Sequence, residues 1–418
     1  MDLKIGSVIN GFRVLRDGDV PLLNARYWKL QHEATGATLY YSDRDDGQMV
    51  FSVGFRTLPE DDTGVFHILE HSCLDGSKNY QLKEPFVNLL KTSMAVDLNA
   101  MTFEDKTIYY FISTNEQDYL NLMSVYMDAV FNPLLLTDRR IFEKEAWHIE
   151  PAGDGKVAIS GVVFNEMQGN DNQPDYIMWM QNEKQLFPDL FFRFNSGGDP
   201  AYIPNLTYEQ FTETYHRFYS SQNAVFYLSG NMGLEAELAH IDSVLTEKGV
   251  SAYEKPAPAP LQAPVVSPDG TVYYQLADNE EIEGNTHLML TYVLGEDKSA
   301  EVLAFSLLSR YRSRINDGHR LVIHLNKLHC HLRNLLDISA DHIHVACKQH
   351  KRLAVLTILD RIDFCHRLRV SRIATYSPNG ICRIKYHTSI TKHFKRLLNF
   401  CCHLIMLFLL LPDNGPKA

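Results

Sequence analysis

The sequence predicts an α+β fold: a mixed, largely antiparallel sheet packed with helices. Two observations carry that expectation. Segments alternating at period two and segments with a helical apolar face intermix along the chain without regular βαβ order. The composition, 45% hydrophobic and 22% charged, is that of a globular chain and excludes wholesale disorder. At 418 residues the chain is long enough for two or three domains.

The elements follow in order. Asn24 to His32 alternates as a strand, Glu33 to Gly36 supplies a turn, and Thr38 to Ser42 returns. Met49 to Arg56 reads as a third strand. In the run from Val65 to Leu74, the apolar Val65, Ile68 and Leu69 share one helical face. Asp61, Asp62 and Thr63 suit a helix start, where acidic and hydroxyl groups answer free N–H groups and the positive dipole end. Glu84 to Lys91 reads as a second helix with Pro85 in its first turn. Strands at Ala95–Thr102 and Lys106–Thr114 precede a long amphipathic helix from Glu116 to Phe131 and another over Asp138 to His148.

Five prolines between Pro256 and Pro268 mark an extended linker over 251–270 and close a first domain at 1–250. Thr271–Leu276 and Thr286–Leu294 read as strands opening a second domain over 271–309, and Ser299 to Ser309 begins a helix. The composition then breaks. Residues 1–309 carry 21 Lys+Arg against 45 Asp+Glu (−24), and residues 310–418 carry 19 against 6 (+13), which sum to the net −11. Six of the seven cysteines and eleven of the eighteen histidines lie beyond 310, and no Glu follows Glu301. An aberrant, poorly folded tail over 310–418 accounts for that shift. The rival reading is a metal-binding tail built on Cys330, Cys347, Cys365 and Cys382. It lacks the closely spaced Cys pairs of zinc modules.

The charge also excludes function classes. A net −11 argues against sequence-independent nucleic-acid binding. The longest apolar run, Leu404 to Leu411, falls far short of the about 20 residues a spanning helix needs, so no membrane partner is expected. The first residues carry neither a signal nor a transit pattern, which makes the cytoplasm the default location.

The chemistry is concentrated in His67-Ile-Leu-Glu70-His71. On a helix, positions 67 and 71 lie about 40° apart and position 70 about 60° to the other side of 67, so two imidazoles and a carboxylate share one arc. Two such nitrogens can hold Zn²⁺, with the carboxylate placed to take a proton from water. This inverts the order of the H-E-x-x-H zinc helix. Taken alone, five residues also fit an exposed helix face bearing two His and one Glu. A catalytic zinc wants a third protein ligand, and spacing leaves Glu143, Glu145, Glu150 and Glu166 all open.

The surrounding blocks resemble the M16 family of zinc metallopeptidases, the pitrilysin/insulinase group, and within it the presequence-protease-like subfamily. The resemblance runs through Phe66–Phe111, Asn121–Pro133 and GVVFNEMQG at Gly161–Gly169, and more weakly through Thr291–Ser309. It implies one Zn²⁺ per chain held by His67, His71 and Glu166, with Glu70 as catalytic base. It also implies that substrate peptide lies along the strand at Leu98–Thr102, adding to its free edge with Asn99 and Ala100 at the contact. The implied activity is a zinc endopeptidase acting on short unstructured peptides. A mitochondrial home is suggested by some relatives.

Members of this subfamily are much longer, with four related domains closing around a chamber. The chain therefore reads as an N-terminal fragment whose missing half a second chain could supply. The alternative function is a zinc-binding fragment with impaired catalysis, acting as a binding module or without function.

Overall fold

The computed structural model describes residues 3–45 and 47–250, then 270–276, 287–293, 344–349, 354–361 and 381–386, with a few isolated positions from 253 to 263. The chain divides into two units, residues 1–170 with 189–261, and residues 171–188 with 262–418.

The first unit is built on an eight-stranded sheet. Its strands are β1 (Val8–Ile9), β2 (Phe12–Val20), β3 (Ala25–His32), β4 (Thr38–Arg44), β5 (Met49–Arg56), β6 (Ala95–Thr102), β7 (Lys106–Ser113) and β10 (Val225–Ser229). The order is β1-β2-β3-β4-β10-β5-β7-β6, and only the β4/β10 pairing is parallel. The largely antiparallel α+β fold expected from the sequence is the fold observed. Strand β6 ends the sheet, so among the described residues one of its edges has no strand beside it. A separate hairpin, β8 (His148–Gly153) with β9 (Lys156–Ser160), completes the strands of this unit among the described residues.

The helices of this unit are α1 (Val65–Cys73), α2 (Pro85–Thr92), α3 (Glu116–Phe131), α4 (Arg139–Glu145), α5 (Val162–Asn170), α7 (Tyr208–Phe218) and α8 (Glu235–Lys248). Period-two alternation on β5 and β7 puts Met49, Phe51, Val53 and Phe55 with Tyr109 and Phe111 into the core. Phe51 stacks on Phe111 at 5.2 Å and Phe55 on Tyr219 at 4.7 Å, while Phe66 of α1 meets Phe218 of α7 edge-on at 4.8 Å. The Phe66–Phe218 contact on one side and packing against β6 on the other hold the short α1, which a nine-residue helix needs because propensity alone does not hold it.

Several boundaries agree with the sequence reading to the residue, among them β5, β6 and α3. Asn115 caps α3 by accepting the Asp118 N–H at 2.9 Å, and Pro85 opens α2. Two expectations are corrected. Helix α1 is not capped by Asp61, Asp62 or Thr63: its N-cap is Gly64 at φ +66°, and Asp61 instead closes a local turn on the Thr63 N–H and hydroxyl. Helix α4 stops at Glu145, because from His148 the chain is already paired in the β8/β9 hairpin.

In the second unit, α6 (Pro174–Leu186) packs beside a five-stranded sheet of β11 (Thr271–Gln275), β12 (His287–Val293), β13 (His344–Gln349), β14 (Ala354–Arg361) and β15 (Ile381–Tyr386). The order is β11-β15-β12-β14-β13, with only β12/β15 parallel. The helix expected at Ser299–Ser309 and the side chains of the tail cysteines lie outside the described residues.

Candidate metal centre

Helix α1 is buried almost throughout, so its polar side chains must find partners inside the protein. His67 Nδ1 lies 2.9 Å from the Gly197 carbonyl oxygen. A carbonyl can only accept, so Nδ1 carries a proton, and in the neutral ring the lone pair is on Nε2. His71 Nδ1 lies 3.2 Å from Glu145 Oε2, which fixes the same tautomer. The two rings are 4.8 Å apart between centroids and inclined at 84°.

The third group arrives from α5. Glu166 Oε2 lies 3.7 Å from His67 Nε2 and 3.8 Å from His71 Nε2. Ligands at about 2.1 Å from a tetrahedral zinc stand roughly 3.4 Å from one another, so this triangle is slightly wider than a metal would draw it. The three ligand atoms fall within 4.8 Å of one another, and no other such group occurs among the described residues. Two imidazole Nε2 atoms and one carboxylate oxygen are a donor set suited to Zn²⁺. The Glu166 side chain is 48% exposed, so solvent reaches the triangle from that side.

Of the four carboxylates that spacing left open, only Glu166 joins the imidazole Nε2 atoms. Glu143 pairs with Arg139 at 3.1 Å on the exposed face of α4, and Glu150 lies in the hairpin 3.7 Å from His148. Glu145 approaches His71 from the opposite ring nitrogen.

Glu70 stands on the same helix but is buried, and its Oε2 accepts the Thr102 hydroxyl at 2.5 Å. Burial pushes its carboxyl above the ordinary Glu value, with Glu166 adding to the rise, and the Thr102 bond and both imidazoles only partly opposing it. His71 moves the other way from what burial dictates: the Glu145 bond and the nearby carboxylates Glu70 and Glu166 outweigh desolvation and raise it. Glu145 is lowered, because His71 and Lys144 overcome its own burial.

Thr102 belongs to β6, so the edge strand and Glu70 are linked directly. Along that strand Leu98 and Ala100 are buried and Asn99 is exposed, with its Oδ1 accepting the Ala100 N–H at 2.9 Å. Thr102, Gly197 and the role of Glu145 escaped the sequence reading. Glu145 enters that reading only as a candidate ligand.

Comparison with known proteins identifies the family. The family described as Insulinase (Peptidase family M16) matches residues 47–150, and Peptidase M16 inactive domain matches residues 205–318. The chain belongs to the M16 peptidase family. It is 38% identical over 318 residues to Protein HypA of Clostridium perfringens, covering 75% of this chain and 32% of that protein. It is 42% identical over 224 residues to Presequence protease 1, chloroplastic/mitochondrial, of Arabidopsis thaliana, covering 53% of this chain and 21% of that one. The mitochondrial presequence protease of Gibberella zeae is 39% identical over 259 residues, covering 60% of this chain and 25% of that one. The chain thus spans about a fifth to a third of the length of these relatives.

Solved structures agree on the M16 fold. A protease from Helicobacter pylori superposes with a TM-score of 0.55 at 15% identity, covering 80% of this chain and 74% of that one. Pitrilysin gives a TM-score of 0.55 at 15% identity, covering 84% of this chain and 36% of that one. No described helix is long and apolar enough to cross a membrane.

Proposed function

We propose that this M16-family peptidase chain is a zinc-dependent endopeptidase of short, unstructured peptides. The observation that carries the reading is the convergence of His67, His71 and Glu166 beside a buried glutamate on the same helix. When bound there, Zn²⁺ would supply Lewis-acid polarisation of the scissile carbonyl and acidify water.

The chain's own residues do the rest. The two Nδ1 bonds hold both imidazoles with Nε2 turned toward Glu166. Glu70, whose burial raises its proton affinity, takes the proton of the attacking water and hands it to the leaving amine nitrogen. Thr102 fixes the carboxylate for both transfers. An extended peptide would add to the free edge of β6, reaching the Ala100 backbone once the Asn99 side chain releases it. Edge addition demands a chain without its own secondary structure, hence the substrate class.

The decisive experiment pairs metal analysis with hydrolysis of a quenched fluorescent peptide. Chelator-sensitive cleavage with one zinc per chain is expected, and Glu70→Gln should keep the zinc and lose cleavage. A purified chain without zinc defeats the reading. Zinc without cleavage in the unaltered chain would instead establish the second reading, a zinc-binding protein without turnover. The domain division belongs to the same proposal, with 1–250 as the catalytic domain and 310–418 as sequence of different origin. Reading the coding DNA near codon 310 in all frames tests that division.

A further inference from the structure

We infer that Glu145 is a positioning residue for His71, an inference that rests on the zinc reading above. Glu145 is 5% exposed, and a buried carboxylate is costly unless both oxygens are satisfied. Both are: Oε2 meets His71 Nδ1 at 3.2 Å and Oε1 meets Lys144 Nζ at 3.1 Å. Lys144 is anchored in turn on Asp75 at 3.0 Å, with Glu84 at 3.7 Å. The carboxylate is therefore held on both sides and cannot rotate away from the imidazole.

The placement also has a reason to be where it is. Glu145 ends α4, and α5, which carries Glu166, starts against the same point. A Cβ on Gly161 would stand 2.2 Å from the Ala146 carbonyl oxygen, so the backbones of the two segments are in direct contact there. One joint thus fixes both the carboxylate that faces the triangle and the carboxylate that steers His71 from behind. His67 has only a neutral carbonyl in that role. The two ring nitrogens are consequently unequal donors: a carboxylate on Nδ1–H makes the His71 Nε2 lone pair more basic than a carbonyl makes that of His67. His71 carries the larger share of metal affinity, and Glu145 is the reason.

The test uses the full chain and a competing chromophoric chelator to read zinc affinity. Glu145→Gln keeps an acceptor on Nδ1 but removes the charge, and the expected weakening is about 10–100-fold. An affinity within about twofold of the unaltered protein overturns the inference. Because a buried substitution can disturb folding, a second measurement needs no metal and no variant. Long-range ¹⁵N correlation spectra of the metal-free chain in mildly alkaline buffer should show His71 as the Nδ1–H tautomer. Finding His71 protonated on Nε2 would equally overturn it. A chain that binds no zinc but shows the Nδ1–H tautomer sinks the functional reading while leaving this placement standing.

Discussion

The joint between α4 and α5 gives the sharpest quantitative expectation. Gly161 precedes α5, and a methyl group there would lie 2.2 Å from the Ala146 oxygen, 2.7 Å from the Ala146 carbonyl carbon and 3.0 Å from the Trp147 Cα. All three are backbone atoms, so no side-chain rotation relieves the clash. A carbon–oxygen contact settles at about 3.3 Å, and the two segments must therefore part by roughly 1 Å. Over-packing of this kind costs about 1–3 kcal/mol of stability. The functional cost is larger, because Glu166 lies in the second turn of the helix that moves. Its oxygen is already 3.7 and 3.8 Å from the imidazole nitrogens, and a further displacement of that size takes it out of a shared coordination sphere. Gly161→Ala should lower peptide hydrolysis by about 100-fold and weaken zinc binding while leaving the chain folded. The assays are chelator competition, peptide cleavage and denaturant unfolding on one preparation. If zinc affinity and cleavage both match the unaltered protein, the joint does not set the position of Glu166, and the geometric reasoning fails.

Two further expectations concern groups outside the candidate metal centre. Cys73 ends α1 fully buried, and burial pushes its thiol up to about 12, so near pH 8 roughly one molecule in ten thousand carries the reactive thiolate. Alkylation followed by peptide mapping should leave Cys73 unmodified until denaturant is added, and ready labelling of the folded chain would contradict its placement. Glu237, near the start of α8, is buried with Oε2 lacking a hydrogen-bond partner among the described residues, and burial raises its carboxyl above the ordinary Glu value. The folded chain thus binds that proton more tightly than the unfolded chain, and this group's contribution to stability falls as pH rises through the interval between the two values. Glu237→Gln should therefore stabilise the protein by about 1 kcal/mol near neutral pH, and the gain should vanish well below the usual Glu range of about 4. A gain that persists in acid would show that charge burial is not its source.

What the sequence discloses and what it hides divide along a physical line. The limits of β5, β6 and α3 were legible because they are set locally, by alternation and by the Asn115 cap. Strand β2 was not, because its register slips between Val14 and Arg16 and its second half is charged, which erases the period-two pattern. The start of α1 was misread because it is a tertiary decision. A Cβ on Gly64 would meet the Gly198 Cα at 2.5 Å, a crossing 134 positions away that demands glycine where a side-chain cap would otherwise serve. The same crossing brings the neighbouring Gly197 carbonyl to His67. Asn195 holds that loop by accepting the Gly197 N–H at 3.1 Å and donating to the Gly198 carbonyl at 3.1 Å. The histidine pair on α1 was visible because its members are one helical turn apart, and helical geometry fixes their angle before any tertiary contact forms. Choosing among four nearby carboxylates was beyond spacing, since Glu145 and Glu166 approach opposite nitrogens of one ring, and a linear sequence carries no sign for which side of an imidazole a chain returns to.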